Sequence, residues 1–370
     1  MPEASSYIYG QKGWTHFTWD VEPVAMLLVK VRYVQGRVLG KMESLGFRLR
    51  EEAILENITL DVLKSTEIEG ETLNPEQVRS SVAKHLGMEV PPNIRSDRYV
   101  EGVVEMMLDA TQHYKKPLSA KRLFKWHTSM FPANKYGVYK IIVGNWRKDI
   151  KGPMQVVSGV IGKEKLHFQA PAAKKVAKEM DLFIQWFNRK EEIDPVLKAA
   201  IAHLWFVTIH PFEDGNGRIA RAITDMQLSR ADETSQRFYS MSTRIRQVRN
   251  TYYDMLEKTQ KGKMDITPWM LWFLQCLLEA MGATEKILQK VLAKASFWEK
   301  HATTTLNPRQ KKIINKLLDG FEGKLTSTKY AKITKCSPDT ALRDIQDLIK
   351  KRILAREKGG GRSTGYRLKL

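Results

Sequence analysis

The chain has 370 residues, of which 42% are hydrophobic and 28% charged, and its net charge is +20 at pH 7. This length suits two or three domains, and the composition is that of an ordinary soluble protein. Cys276 and Cys336 lie far apart without CxxC spacing, which argues against a disulfide framework or a thiolate zinc site and predicts a cytoplasmic location. We expect neither a secretory signal nor a membrane span, because no basic region precedes an apolar run and no apolar stretch reaches about 18 residues.

From the N-terminus, an aromatic stretch over the first 20 residues is predicted to pack on a later helix. Apolar residues at helical spacing predict helices near 21–45 and 49–70. Asn74-Pro75 is typical of a helix start, and further helices are predicted near 97–114, 118–130, 172–189, 195–209, 217–230, 246–259 and 266–298. Between them, MQVVSGVIGKEKLHF alternates apolar and polar residues around a glycine-containing centre, as a β-hairpin does. The first 300 residues are therefore predicted to be mainly α with one hairpin.

The last 65 residues have the pattern of a separate unit. Helices are predicted to begin at Pro308, near 326, and at Ser337-Pro338, where serine is the N-cap. Two strands, ILAREK and YRLKL, then flank a glycine-rich tip, GGGRSTG. Three helices followed by a two-stranded wing predict a winged helix-turn-helix domain over 306–370.

This C-terminal domain carries most of the excess charge. It holds 17 lysines and arginines against 6 aspartates and glutamates. Its excess of basic residues is therefore more than half of the net charge of +20 of the whole chain. The asymmetry favours a nucleic-acid partner, while a solvated basic face, protein docking or dimerisation stays open. The helix from Ser337 carries Asp339, Asp344 and Asp347 beside Arg343, so the wing is the more clearly basic part, with Arg356, Lys358, Arg362 and Arg367.

Residues 210–221 read HPFEDGNGRIAR and combine several features of a phosphate site. The two glycines of Gly215-Asn216-Gly217 remove side-chain bulk where the chain enters the next helix, so that backbone N–H groups and the helix dipole can face an anion. Arg218 and Arg221 lie on one face of that helix and could each bind phosphate oxygens.

Two further residues of this segment supply chemistry. Asp214 is an oxygen ligand suited to Mg²⁺, which usually binds together with substrate phosphates. His210 can accept a proton near neutral pH, although a lone histidine after an apolar run is more often a core residue. Phe212 is expected to pack inward. The Gly-x-Gly-x-x-Ala spacing is not a dinucleotide fingerprint here, because no strand precedes it.

The whole string resembles the Fic family signature HxFx[D/E]GNGRxxR at every fixed position. The preceding segment PVLKAAIAHLWFVTI looks like the helix that leads into the Fic loop, and the hairpin lies where that family has its target-docking flap. Trp146-Arg147 looks like the aromatic-arginine pair that precedes the flap. The order of segments resembles multidomain bacterial Fic proteins over essentially the full chain.

The resemblance implies a nucleotidyltransferase that moves AMP from ATP to a Ser, Thr or Tyr hydroxyl of target proteins and of itself. His210 would be the general base and Asp214 would hold Mg²⁺, while Asn216, the N–H groups of its Gly-Asn-Gly turn, Arg218 and Arg221 would bind the phosphates. Targets would dock at the flap, 154–168, whose Val157, Ser158 and Gly159 would also contact ATP. Tyr252 and Tyr253 match a tyrosine pair at the adenine end, although helix packing explains them equally well.

A second short match concerns regulation. Residues 65–70 fit the family's inhibitory pattern [S/T]xxxE[G/N], with Ser65, Glu69 and Gly70 at the defined positions. By resemblance, Glu69 would pair with Arg221 and keep the γ-phosphate from its productive place, whereas Glu67 is expected to be a solvated helix residue. Some relatives with this glutamate also remove AMP from their targets, and the sequence leaves that reverse activity open.

The sequence therefore predicts an N-terminal helical inhibitory domain over 1–95, a Fic catalytic domain over 96–300 and the winged helix. Transfer of UMP or phosphocholine is an alternative on the same fold. A DNA-binding regulator whose Fic domain only senses nucleotide is another, but the presence of His210 argues against it because binding ATP needs no base. A homodimer stays open.

Overall fold

The computed structural model describes residues 7–43, 46–88, 94–132, 141–150, 152–160, 164–190, 192–321, 323–357 and 364–369. Within them the chain is mainly helical, with two antiparallel two-stranded sheets, which confirms the predicted fold class. The chain divides into two compact units, Met1–Thr284 and Glu285–Leu370, while the finer division into three domains stays a prediction. Among these residues, no helix combines the length and apolar character that a membrane-spanning helix needs.

The elements up to residue 300 follow the predicted order closely. They are α1 (Val21–Glu43), α2 (Phe47–Ile68), α3 (Pro75–His85), α4 (Arg98–Gln112), α5 (Ala120–Met130), β1 (Gln155–Ser158), β2 (Lys165–Gln169), α6 (Ala173–Asn188), α7 (Pro195–Ile209), α8 (Asn216–Asp232), α9 (Met241–Gln247), α10 (Arg249–Gln260) and α11 (Thr267–Lys300). Asn74 caps α3, its side chain accepting from the N–H groups of Glu76 and Gln77. The sequence did not predict the short helix α9 or a 3₁₀ turn at Ile8–Gly10.

Two helices form the centre of the first unit. Every residue of α7 from Val196 to Ile209 is buried, and so are nearly all residues of α8 from Asn216 to Ser229. A helix that is apolar on all sides belongs in a core, and α7 packs against α8, with α2 and α4 also packed on α8. The short connection between α7 and α8 is the segment 210–215, which this packing holds at the end of both helices.

The predicted hairpin forms and is anchored by the N-terminal aromatic residues. β1 pairs antiparallel with β2 from Gln155 opposite Gln169 to Ser158 opposite Lys165. Phe168 of β2 is buried, and its ring lies 5.2 Å from that of Tyr7, centroid to centroid. Trp14 packs on Trp205 of α7, as expected for this stretch.

The second unit contains three helices and a two-stranded sheet around its own core. These elements are α12 (Pro308–Leu318), α13 (Ser327–Thr334), α14 (Pro338–Lys350), β3 (Leu354–Arg356) and β4 (Tyr366–Leu368). The predicted cap of α14 is present, since Ser337 accepts from the N–H of Thr340. Asn307, which was not predicted as a cap, accepts from the N–H of Gln310 at the start of α12. The winged-helix assignment stays a prediction, and Lys358 and Arg362 of the predicted wing lie outside the described residues.

Candidate active site

The segment 210–215 is a tight turn stabilised by its own residues. His210 ends α7 with φ 52° and ψ 60°, and Gly215 precedes α8 with φ 79°. At Gly215 a Cβ atom would also lie 3.1 Å from the side chains of Met130 and Phe131, so a larger residue is strained there. Phe212 is fully buried, as expected. The Asn216 side chain accepts from the Phe212 N–H at 3.0 Å and donates to the Phe212 carbonyl at 2.8 Å.

That last pair of bonds changes what Asn216 can offer a ligand. Because both ends of its amide bind Phe212, its side chain holds the turn rather than pointing to a phosphate. Its backbone N–H remains at the first turn of α8, together with those of Gly217 and Arg218. N–H groups in the first turn of an α-helix have no intrahelical acceptor and face the positive end of the helix dipole. The turn therefore provides an anion site made of backbone.

His210 has the arrangement that a general base requires. Its Nδ1 lies 3.2 Å from the carbonyl oxygen of Val207, an acceptor, so Nδ1 carries the hydrogen and Nε2 keeps a lone pair. Burial lowers the pKa of His210 to about 4, an effect that the nearby Arg147 reinforces. The ring is therefore neutral at pH 7 and can accept a proton on Nε2.

Arg147 connects the base of the hairpin to this turn. Its Nε donates to the His210 carbonyl at 2.7 Å, and its backbone N–H donates to the Pro211 carbonyl at 2.9 Å. Another of its nitrogens donates to the Pro171 carbonyl, and Nη1 pairs with Asp149 at 2.7 Å. The predicted aromatic-arginine pair thus includes a residue that holds His210 in place.

His127 of α5 is a member of the site that the sequence analysis missed. Its Nε2 donates to the Asp214 carbonyl at 3.2 Å, and its Nδ1 accepts from the Gly144 N–H at 3.0 Å. The ring stacks on Phe212 with centroids 4.3 Å apart. Burial lowers the pKa of His127 to about 4, so the ring is neutral at pH 7. The two hydrogen bonds then select the tautomer with the hydrogen on Nε2. A single histidine on an amphipathic helix provides no sequence signal for this role.

The two arginines of α8 are buried beside the anion site. Arg218 and Arg221 are 1% and 2% exposed. Among the described residues, Arg218 Nε and Arg221 Nη1 make no hydrogen bond of normal geometry. Buried donors are rarely left unpaired in folded proteins, so these two are available for the oxygens of a bound ligand.

Two of the predicted inhibitory residues, Ser65 and Glu69, contact Arg221. Its Nη2 lies 2.7 Å from Oε1 of Glu69 and 2.8 Å from the Ser65 carbonyl, while Nε donates to Ser65 Oγ at 2.8 Å. Burial lowers the pKa of Arg221, but the Glu69 carboxylate together with Tyr252 and Tyr253 outweighs burial, and the pKa is raised. Gly70 follows with φ 86°. A Cβ atom at Gly217 would overlap the Glu69 carboxylate, which therefore lies over the first turn of α8.

Asp214 is the exposed acid of the turn. Its side chain is 50% exposed, and its Oδ1 lies 3.5 Å from Arg218 Nη2. In the described part of the chain no group of three or more His, Cys, Asp or Glu could hold a metal ion by itself. A single carboxylate fits Mg²⁺, which keeps several waters and uses substrate phosphates as further ligands.

The remaining predicted residues are less closely connected to the turn. Tyr252 is buried and its hydroxyl lies 2.9 Å from His203 Nε2, so its hydroxyl is bonded within the core. Tyr253 donates a hydrogen bond to the Ile68 carbonyl, next to Glu69. Val157, Ser158 and Gly159 are exposed. The hydrogen bond of Ser158 goes to His167 of β2 at 2.6 Å and not to residues 210–221.

Two family models match this chain. Residues 7–88 match the Domain of unknown function (DUF4172), and residues 117–228 match the Fic/DOC family. The second match contains the whole turn with His210, Asp214 and both arginines, and it also contains His127 and Arg147. The first match contains Ser65, Glu69 and Gly70.

Curated relatives match over part of their length. The chain is 29% identical over 179 residues to a protein adenylyltransferase of Caenorhabditis briggsae, covering 48% of this chain and 32% of that protein. It is 33% identical over 130 residues to a protein adenylyltransferase of Nematostella vectensis, covering 35% and 27%. The chain thus spans about a third or less of the length of these relatives.

One solved structure matches over nearly the full length. A Fic family protein from Desulfovibrio desulfuricans is similar with a TM-score of 0.51 and 21% identity, covering 94% of this chain and 95% of that one. At this identity the likeness concerns the fold alone. It agrees with the mainly helical fold.

Proposed function

Because this chain is a member of the Fic/DOC family through residues 117–228, we propose that it is a protein adenylyltransferase. It would transfer AMP from ATP to a Ser, Thr or Tyr hydroxyl of a target protein and of itself. The observation that carries the proposal is a neutral His210 in the turn before α8, a helix whose first two turns carry two buried arginines. Relatives named protein adenylyltransferase support the same reaction class.

The chemistry follows from the geometry of the turn. The ATP phosphates would bind the N–H groups at the start of α8, with Arg218 and Arg221 donating to the β- and γ-phosphates. The target oxygen would attack the α-phosphorus while His210 Nε2 takes its proton, and pyrophosphate would leave. Asp214 would hold Mg²⁺, which neutralises phosphate charge when bound. General-base assistance accounts for about 10²–10⁴ of the rate, and alignment and charge stabilisation supply the rest.

Autoinhibition by Glu69 is part of the proposal. The Glu69 carboxylate lies where a phosphate would meet Arg221 and the first turn of α8. It satisfies the arginine and repels an incoming triphosphate, because like charges at this range repel strongly in a partly buried site. ATP would then be bound in an unproductive position until Glu69 leaves. Reverse removal of AMP stays open under the same geometry.

Target proteins would dock at the hairpin. In the described residues β1 pairs with β2 alone, and Gln155, Val157 and Ser158 of β1 are exposed. An open strand edge can bind an extended peptide through backbone hydrogen bonds. The Arg147 contacts place the base of this hairpin next to His210, so that a bound segment could bring its hydroxyl to the base.

A second candidate function is contact between nucleic acid and the C-terminal unit. One acidic residue of α14 is withdrawn from solvent, since Asp344 is buried and bound by Arg309 at 2.8 Å. Asp347 is partly exposed and pairs with Lys351, and Asp339 is exposed. The side chains of α14 exposed to solvent include the cationic Arg343 and Lys350, together with Gln346 and Asp339. The exposed face is therefore more cationic than the order of residues suggested, and phosphate contacts depend on such charge. A second copy of the chain is an alternative occupant of this face.

Labelled ATP tests the proposed reaction. The Glu69→Gly protein, with and without a cell lysate, would be incubated with ATP labelled at the α- or the γ-phosphate. Label from the α-position alone, with a mass increase of one AMP, is expected. Label from the γ-position would indicate a kinase. Failure of the α-label to reach any protein would refute adenylyl transfer, and preferential labelling from UTP or a choline donor would indicate the alternative transferases.

A further inference from the structure

Arg218 is bound by two residues that the family signature does not include. Its Nη1 donates a hydrogen bond to the hydroxyl of Tyr99, a buried residue of α4. The Tyr99 hydroxyl in turn donates to Oε2 of Glu71 at 2.5 Å. The other oxygen of Glu71 lies 3.7 Å from Arg218 Nη1. Arg218, Tyr99 and Glu71 therefore form a continuous chain of polar contacts.

Glu71 belongs to the same segment as Glu69. After α2 ends, the Glu71 N–H donates back to the Thr66 carbonyl at 3.3 Å, which keeps residues 69–71 close to the last turn of that helix. One short segment, residues 65–71, thus contacts both arginines of α8. Ser65 and Glu69 contact Arg221, and Glu71 contacts Arg218 directly and through Tyr99.

The charge around Arg218 is divided between two carboxylates. Asp214 Oδ1 lies 3.5 Å from its Nη2 on one side, and Glu71 lies on the other. Burial lowers the pKa of Arg218, but Tyr99, Asp214, Glu71 and the more distant Glu69 together outweigh burial, and the pKa is raised. Glu71 is 37% exposed, so its negative charge also reaches the space where a triphosphate would enter.

We propose that Glu71, linked to Arg218 by Tyr99, is a second inhibitory carboxylate in this chain. Glu71 neutralises the arginine expected at the β-phosphate, as Glu69 neutralises the one at the γ-phosphate. The inference rests on the proposed function for the identity of the ligand. It follows that removing Glu69 alone leaves part of the inhibition in place, and that full ATP affinity requires the whole segment 65–71 to release both arginines.

Glu71→Gln tests this with little change in shape. The amide oxygen of glutamine still accepts from Tyr99, while the negative charge is lost. In a Glu69→Gly background we expect KM for ATP to fall about fivefold, the upper range for one partly exposed charge, with kcat changed less. The Kd of a non-hydrolysable ATP analogue, measured by calorimetry, should fall by the same factor. Tyr99→Phe should lower both values by a smaller factor, because it removes the contact through Tyr99 but keeps the Glu71 charge 3.7 Å from Arg218 Nη1.

Glu105→Gln is the matched control. Glu105 is an exposed residue of α4, so this variant makes the same change in net charge and should leave KM and Kd unchanged. If Glu71→Gln leaves both constants within about twofold of the Glu69→Gly protein, the inference is wrong. A weaker ATP complex in Glu71→Gln or Tyr99→Phe would mean that these residues orient Arg218 for binding, which also overturns it.

The proposed function can fail separately. If no variant transfers AMP, the reaction assignment is wrong, but the calorimetric Kd of Glu71→Gln against Glu105→Gln still decides the role of Glu71. If Glu69→Gly transfers AMP and Glu71→Gln has no further effect, the reaction assignment stands and the second carboxylate is rejected.

Discussion

The Glu69 carboxylate lies 2.7 Å from Nη2 of Arg221, although 152 positions separate the two residues. The same carboxylate lies so close to Gly217 that a methyl group there would overlap it. A carboxylate at a helix N-terminus that also pairs with a buried arginine has the position of a bound anion. The chain therefore fills its own candidate phosphate site.

Glu69→Gly should increase self-labelling with AMP about ten- to a hundredfold. This factor corresponds to the loss of a charge-assisted ion pair that contributes roughly 1.5–3 kcal/mol. The cost to helix stability should be small, on the order of 1 kcal/mol, because Glu69 lies at the end of α2. Glu67→Gly is the control: Glu67 pairs with Lys64 and Arg246 and should leave activity unchanged. Equal behaviour of the two variants, measured by incorporation of α-label, would contradict inhibition by Glu69.

His210→Ala should reduce AMP transfer by about 10²–10⁴ while leaving ATP binding nearly intact. The base acts on the attacking hydroxyl, whereas the phosphates contact α8 and its arginines. The comparison is best made in the Glu69→Gly background, with transfer followed by α-label and binding by calorimetry. Near-normal labelling would remove His210 from the chemistry and favour a nucleotide sensor.

The activity should stay level from pH 7 down to about pH 5 and fall only near pH 4. Burial lowers the pKa of His210 to about 4, so the neutral base persists well below the ordinary pKa of about 6.5. Because protonation removes the base, activity is lost as the pH falls through the pKa of the folded protein. Initial rates would be measured with circular dichroism at each pH to verify folding. A midpoint near pH 6.5 would show that His210 is not shielded as the structure implies.

His127→Ala should destabilise the protein and also slow transfer. It leaves the Asp214 carbonyl and the Gly144 N–H without their partner, at a cost of about 1–3 kcal/mol, and it frees the turn that carries Asp214. We expect a Tm lower by several degrees and a weaker response of the rate to Mg²⁺. His113→Ala removes a 49% exposed histidine paired with Asp109 and should change neither. If His127→Ala lowers Tm alone, the residue only supports the core.

The C-terminal unit should bind duplex DNA with a steep dependence on salt. Arg343→Glu with Lys350→Glu should weaken binding at least about tenfold and reduce the salt slope, as read by fluorescence anisotropy of a labelled duplex with the full chain. Lys174→Glu with Lys175→Glu, two exposed residues of α6, reverses the same number of charges and should have little effect. No binding at about 50 mM salt would favour protein docking or dimerisation.

Much of this protein follows from local pattern. The helix starts at Pro75, Pro308 and Pro338 were predicted correctly, because a cap and a first-turn proline depend only on neighbouring residues. The hairpin was predicted for the same reason, from alternation over a few residues. The chemistry of 210–221 could also be recognised, since His210 through Arg221 are consecutive and the turn brings them together with little help from elsewhere.

Other relationships were decided by packing. Asn216 was assigned to a phosphate by resemblance, yet its amide holds Phe212. His127 reaches the turn because α5 packs near it, and Asp344 is neutralised by Arg309 from another helix. The link from Glu71 to Arg218 through Tyr99 joins three helices or their ends. Periodicity and caps specify where each helix begins and which face is buried, but a contact between distant segments depends on how whole helices pack, which no local run of residues encodes.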